Sequence, residues 1–222
     1  MQTEIEKADA KKVDQALNFL NEKDIPAAEA LLRDVCSRCP ENYVYKYNMD
    51  GNQYIKFWSV MEFTEYVANR EEDTTQQSLL WIASAYPRAC FNLAYILVDK
   101  HDLDGALQWL NRGETMEPEN PNFLLEMGVV YAHRKESQRS FECYKKAVSL
   151  KNLSKEKHAT ALRGMGVQSI DLQQWDVAES YLNASLEIEP SNQIAKQELL
   201  YLAQVRSKRS TQKGKSWLKF WQ

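Results

Sequence analysis

Residues 87–120 read PRACFNLAYILVDKHDLDGALQWLNRGETMEPEN, and residues 121–154 read PNFLLEMGVVYAHRKESQRSFECYKKAVSLKNLS. Both stretches open on proline and place the same kinds of residue at the same offsets. From Pro87 the slots hold Cys90, Leu93, Ala94, Leu97, Ala106, Leu110, Gly113 and Pro118; from Pro121 they hold Leu124, Met127, Gly128, Tyr131, Ser140, Tyr144, Ala147 and Asn152. A third copy starts at Ala159, after a four-residue insertion, with Leu162, Met165, Gly166, Ser169, Ala178, Leu182, Ser185 and Pro190. A weaker copy starts near Asp9, where Ala16, Phe19, Ala28, Leu32, Val35 and Pro40 fit but Lys12 and Gln15 do not. A period of about 34 residues belongs to helix–turn–helix units that cannot bury their own faces and must stack.

The slots make physical sense. Small residues let the two helices of a unit approach closely, and large residues three and four apart form each helix's apolar stripe. Proline at the end stops the second helix because it has no backbone N–H to donate. Pro87 and Pro121 sit where a helix starts, a position that tolerates the missing donor. Asp102 and Asp176 fall in the short turns between paired helices, where Asp suits a turn or an N-cap.

On these residues the chain resembles the tetratricopeptide-repeat (TPR) family over roughly 9–40 and 87–190. The run FNLAYILVDKHDLDGALQWLNRGETMEPEN, with a helical pair and an aromatic insert before it, is similar to uncharacterised bacterial TPR proteins. The resemblance implies an all-α, right-handed solenoid of helical hairpins. The expected parts are an N-terminal helical pair over 1–40, an aromatic insert or degenerate repeat over 41–86, three units over 87–190, a capping helix over 191–207 and a basic-aromatic tail over 208–222.

Composition agrees with a soluble globular chain: 44% of the 222 residues are hydrophobic and 27% charged. No apolar run is long enough for a membrane span, and the charged start lacks the apolar stretch of a signal peptide. A cytoplasmic location is the default expectation. The net charge of −3 is uneven, because residues 206–222 carry six basic residues and no acid. An acidic body with a basic tail suggests two surfaces of different taste.

Residues 41–86 break the period. YVYKY at 43–47, Asp50-Gly51, then QYIKFW at 53–58 make a hairpin signature near 43–58; the alternative is a degenerate repeat with a linker. Phe63, Tyr66 and Val67 follow helical spacing, Glu71, Glu72 and Asp73 mark an exposed break, and Gln76–Tyr86 reads as a further helix.

No spacing carries a catalytic mechanism. There is no phosphate-binding P-loop, no dinucleotide fingerprint, no H-E-x-x-H and no G-x-S-x-G. His101, His133 and His158 are scattered at helix ends or turns. Cys36 and Cys39 form C-x-x-C, but they end a second helix, whereas a redox pair wants a helix N-terminus, and no second pair completes a zinc site. Cys90 and Cys143 fall in the repeat pattern and read as packing residues. The expectation is a protein with no enzymatic activity, no cofactor and no metal.

In TPR arrays the first helices line the concave face, which in this family binds extended or helical peptides. The resemblance places Arg88, Phe91, Asn92, Tyr95 and Val98, then Leu125, Val129 and His133, then Arg163, Val167 and Ile170 there. That face suits a partner protein's peptide or helix bearing Leu- or aromatic-type side chains, with a carboxylate held by Arg88 or Arg163. The competing reading is that the insert or the tail covers it. Some family members grip the EEVD tail of chaperones with basic and Asn residues. Here those slots read Arg88 and Asn92, Glu126, then Thr160 and Gly164, so chaperone-tail binding is not expected. In the tail, Ser210–Gly214 reads as a linker, and Trp217, Leu218, Phe220 and Trp221 form an apolar cluster. Trp217, Phe220 and Trp221 could dock on protein, a membrane surface or nucleic acid, or drive self-association. The function these residues favour is an adaptor for protein–protein interaction; the alternatives are a peripheral scaffold recruited by the tail and a self-assembling structural protein.

Overall fold

The computed structural model describes residues 3–69, 78–151 and 153–218, the last eleven of these as backbone alone. It is 71% helical. The elements run α1 (Glu4–Asn21), α2 (Ile25–Cys36), β1 (Lys46–Met49), β2 (Asn52–Phe57), α3 (Val60–Asn69), β3 (Leu79–Ala83), α4 (Tyr86–Asp99), α5 (Leu103–Met116), α6 (Pro121–His133), α7 (Ser137–Val148), α8 (Lys155–Asp171), α9 (Trp175–Ile188) and α10 (Gln193–Leu218).

The repeat is written in the backbone as well as the side chains. Lys23, His101, Lys135 and Gln173 each adopt a left-handed φ, between 59° and 64°. At each corner the next N–H reaches back five residues: Asp24 to Phe19, Asp102 to Leu97, Glu136 to Tyr131 and Gln174 to Ser169, at 2.8–2.9 Å. This is the helix-ending motif in which a left-handed residue returns the chain onto the last turn. None of the four is glycine, although the left-handed region costs an ordinary residue about 1–2 kcal/mol. Asp24 and Asp102 then cap the second helices, accepting from Ala27 N at 3.1 Å and Gly105 N at 2.9 Å. Asp176 does not act this way: it is the second residue of α9, one turn-residue further in than the sequence placed it.

Two compact units make up the chain, 1–130 with 150–154, and 131–149 with 155–222. In the first, the α1–α2 hairpin packs against α4, and the α4–α5 hairpin follows. Val13, Ala16, Ala28, Leu32, Val35, Leu93 and Leu110 are wholly buried there. Gly113 marks a close approach, since a Cβ on it would stand 2.1 Å from the Phe123 ring. In the second unit α7, α8 and α9 pack in turn. Ile170, Ala178, Leu182, Ala195 and Leu202 form its core, with Trp175, Leu186 and Leu199 against it.

The insert of the first unit is a three-stranded sheet in the order β1–β2–β3. β1 and β2 form the expected hairpin. Its two-residue turn has φ 50° at Asp50 and 75° at Gly51, the doubly left-handed geometry that Asp-Gly favours. Tyr47 and Tyr54 stack across the pair at 5.0 Å. β3 corrects the reading of Gln76–Tyr86 as a helix. Leu79–Ala83 pairs in parallel with β2, from Gln53↔Leu79 to Phe57↔Ala83, and helix begins only at Tyr86. Periodicity cannot separate a short apolar run from a buried helical turn; here the open edge of β2 takes up its backbone groups. α3 lies on β2 through Phe63 and Tyr66 against Phe57, at 5.5 and 5.2 Å. Glu71, Glu72, Asp73 and Asn152 lie outside the described residues. At the far end, α10 continues as helix through Leu218, so the linker read at 210–214 is helical backbone. Among the described residues no helix is long and apolar enough to cross a membrane.

Candidate functional site

Helix α4 carries five of the residues expected on the repeat face, and their fates differ. Arg88 is drawn to α1, donating to Asp14 Oδ1 at 2.5 Å, with its side chain 12% exposed. Its guanidinium is therefore paired within the chain rather than held open for a partner's carboxylate. Asn92 donates to the Arg88 carbonyl at 2.7 Å. Phe91 meets the insert: the Trp58 ring lies 5.1 Å from Phe91 and 5.4 Å from Phe123, and those two phenylalanines sit edge to face at 6.0 Å. One turn on, Tyr95 is 51% exposed, and Val98 is half-buried.

Trp58 is held at both ends. Its backbone N–H donates to Glu62 at 2.6 Å and its indole Nε1 to Glu117 at 2.8 Å. Glu117, the residue that follows α5 as its C-cap, is 3% exposed. Its carboxylate also accepts from Ser84 Oγ at 2.8 Å and Asn120 Nδ2 at 3.1 Å. Burial pushes the Glu117 carboxyl up to about 7; the three donors work against that rise and the Glu62 carboxylate adds to it. A second buried polar contact binds the insert to α1. Lys56 reaches Glu6 at 2.8 Å with both side chains nearly closed to solvent, and lies 4.1 Å from the Tyr43 ring centroid.

On α6, Leu125 and Val129 are half-buried, and His133 is exposed at the helix end. In the second unit, Arg163 pairs with Glu189 at 2.9 Å and with Thr160 Oγ1 at 3.2 Å. Val167 is half-buried. Ile170 is 8% exposed and belongs to the core of that unit, which corrects its placement on an open face. The spacing rule sent it outward, but α9 and α10 close over it. Trp217 lies in the last turn of α10; Phe220 and Trp221 lie outside the described residues. No group of His, Cys, Asp or Glu among the described residues is arranged to hold a metal ion.

The sequence reading missed Glu117 and the role of Trp58. Trp58 was legible only as the end of a strand-like aromatic run. Glu117 occupies no patterned slot, and nothing in its neighbourhood announces that residues 33 and 59 positions upstream will close on it.

Residues 87–120 match the tetratricopeptide repeat family. The chain carries a tetratricopeptide repeat. The TPR fold extends well beyond that match. A tetratricopeptide repeat protein from Parabacteroides merdae aligns over 91% of this chain and 61% of its own, with TM-score 0.62 and 16% identity. The pilF protein of Pseudomonas aeruginosa aligns over 91% of this chain and 70% of its own, with TM-score 0.63 and 13% identity. The first TPR domain of Spaghetti (RPAP3), solved with the HSP90 peptide SRMEEVD, aligns over 55% of this chain and 93% of its own, with TM-score 0.50 and 21% identity. No curated protein matches the sequence.

Proposed function

We propose that the chain is a non-catalytic adaptor that binds a peptide or helix of another protein on the α4–α6 face of its first unit. Tyr95 carries this reading. It is a large aromatic side chain left half-open on a helix whose neighbouring Phe91 is covered, and Val98, Leu125 and Val129 offer further apolar surface. Half-exposed tyrosines beside a rigid apolar floor are the residues on which interfaces concentrate affinity. The insert narrows the face: Trp58 fills the Phe91 end, so the partner's anchors meet the Tyr95 end. The RPAP3 domain was solved with a peptide ending in EEVD. In this chain the pairing of Arg88 with Asp14 and the carboxylate at Glu126 favour an apolar ligand over such a tail.

The experiment is selection of a displayed peptide library on the full chain, followed by titration of one selected peptide and of SRMEEVD. Enrichment of Leu- and aromatic-rich peptides, with affinity lost at least about tenfold in Tyr95→Ala, is the expected result. Tight SRMEEVD binding would replace the apolar ligand with a carboxylate one. Selected peptides indifferent to both Tyr95→Ala and Leu125→Ala would remove the face altogether. Loss of binding only when Trp217, Phe220 and Trp221 are replaced by Ala would move recognition to the tail.

A further inference from the structure

Three of the four cysteines converge in the first unit. Cys36 ends α2, Cys39 follows just past the helix, and Cys90 comes from α4. Cys90 Sγ lies 3.9 Å from Cys36 Sγ and 3.9 Å from Cys39 Sγ. Sequence spacing offers only the C-x-x-C pair; the fold brings the third thiol from 51 residues away. All are free thiols.

The three are not equivalent. Cys90 is fully buried and Cys36 nearly so, whereas Cys39 is partly open and lies outside regular structure. Contacts with the Cys36 and Cys90 thiols lower the Cys39 thiol below its ordinary range; Arg112 also favours its thiolate, against burial and Asp9. Arg112 is fixed nearby by its bond to the Pro40 carbonyl at 3.0 Å. The thiol contact with Cys39 pushes Cys36 up, and contacts with both neighbours, with burial, push Cys90 up. A partly open thiol whose surroundings favour the thiolate thus lies 3.9 Å from a buried thiol whose surroundings favour the protonated form, which is the arrangement of an attacking and a resolving cysteine.

We propose that Cys39 and Cys90 form a peroxide-sensitive dithiol that closes a disulfide across the base of the insert. The Cys39 thiolate attacks one oxygen of a hydroperoxide. The O–O bond breaks, the alkoxide or hydroxide leaves and takes a proton from water, and Cys39 becomes a sulfenic acid. Cys39 is oxidised by two electrons and the peroxide is reduced. Cys90 sulfur then attacks Cys39 sulfur, the S–S bond forms, the S–O bond breaks, and the departing hydroxide leaves as water with the Cys90 proton. The sulfurs must approach by about 1.9 Å, since a disulfide spans about 2.05 Å. Cys39 lies beyond the last residue of α2, tied to it by its N–H on the Cys36 carbonyl at 3.2 Å, so the closure asks for a shift outside the helix. Residues 41–86 lie wholly between Cys39 and Cys90, so the bridge would clasp both ends of the segment that carries Trp58. This inference stands apart from the partner-binding reading.

The test treats the full chain with hydrogen peroxide, blocks remaining thiols with N-ethylmaleimide and maps peptides by mass without reduction. The expected product is a Cys39–Cys90 linked peptide within one chain, with Cys36 and Cys143 alkylated. In Cys90→Ala the bridge is absent and Cys39 is trapped by dimedone. In Cys39→Ser the loss of the Cys90 thiol slows at least about tenfold. Circular dichroism checks that both variants are folded; where one is not, the wild-type map decides. A Cys36–Cys90 bridge, a bridge between chains, or free thiols at Cys36, Cys39 and Cys90 at peroxide doses that oxidise Cys143 would each overturn the proposal.

Discussion

In the second unit Ile170, Ala178, Leu182, Ala195 and Leu202 meet as aliphatic side chains, and the buried Ser169 and Ser185 are satisfied within their own helices. Ser169 Oγ donates to Met165 O at 2.8 Å and Ser185 Oγ to Leu182 O at 2.7 Å. In the first unit the same depth holds Glu6, Lys56, Ser84 and Glu117, and their partners are distant in sequence. Lys56 and Glu6 are 50 residues apart, Trp58 and Glu117 are 59, and Ser84 and Glu117 are 33. One unit is a repeat closed by its own period. The other is a repeat closed by a foreign insert through a few buried polar bonds. A hydroxyl bonded within its own helix depends on no distant segment, whereas a buried polar bond between distant segments leaves an orphaned group when either partner goes.

The largest expected effect tests this contrast directly. Trp58→Ala removes the ring between Phe91 and Phe123 and strips Glu117 of a donor, so it should cost about 3–5 kcal/mol. Leu182→Ala, which opens a cavity in the second unit, should cost about 2–5 kcal/mol. Native-state hydrogen exchange separates them. Trp58→Ala should lower protection in α4 and α5 and leave α8 and α9 unchanged; Leu182→Ala should do the reverse. Equal loss everywhere in both variants would mean the two units unfold as one and would dissolve the comparison.

The buried ion pair sharpens it. Lys56→Met leaves the Glu6 carboxylate buried without its cation and should cost about 3–5 kcal/mol in denaturant unfolding. Adding Glu6→Gln should recover most of that loss, because removing both charges of a buried pair is often close to neutral. A double variant no more stable than Lys56→Met would show that the pair itself, rather than the avoided orphan, holds β2 to α1.

The same contrast explains what was legible in the sequence. The 34-residue period specified the helical hairpins because each slot depends on neighbours within one or two turns. Gly113 and Leu182 are where the spacing puts them, and the Asp50-Gly51 turn is a two-residue signal. β3 was unreadable as a strand because only the edge of β2 decides between strand and helix for Leu79–Ala83. Arg88 was legible as a face residue, but its capture by Asp14 depends on how α1 lies against α4. The four cysteines were visible as two pattern residues and a pair, and only packing makes Cys36, Cys39 and Cys90 a cluster. What periodicity encodes is local geometry; what it omits is which distant polar groups meet.

A smaller effect is set by pH. Glu117 has a folded-state pKa near 7 against an ordinary value of 4.5, so between these values the folded chain binds the extra proton. Its contribution therefore favours folding as pH falls through that window and is lost as pH rises through about 7. Cys39 works in the opposite sense, since its depressed pKa favours the folded state as pH rises. The difference between wild type and Glu117→Gln isolates the carboxyl, because Cys39 is common to both. Glu117→Gln can keep its three bonds, with the Ser84 hydroxyl turning to accept. It should be more stable relative to wild type at about pH 8 than at about pH 5, by about 1–3 kcal/mol. A difference that does not vary with pH would place the Glu117 carboxylate in contact with water.

The smallest stability effect is the one that divides fold from function on a single helix. Phe91 and Tyr95 are one turn apart on α4, one covered by Trp58 and the other half open. Phe91→Ala should destabilise the first unit by about 3–5 kcal/mol and lose binding only as a consequence of unfolding. Tyr95→Ala should change stability by no more than about 0.5 kcal/mol, since alanine is the better helix former and little packing is lost. If Tyr95→Ala nevertheless weakens a selected peptide at least about tenfold, the ring acts at the surface. If Tyr95→Ala instead destabilises as Phe91→Ala does, the open end of α4 is part of the packing, and the insert closes the whole face rather than one end of it.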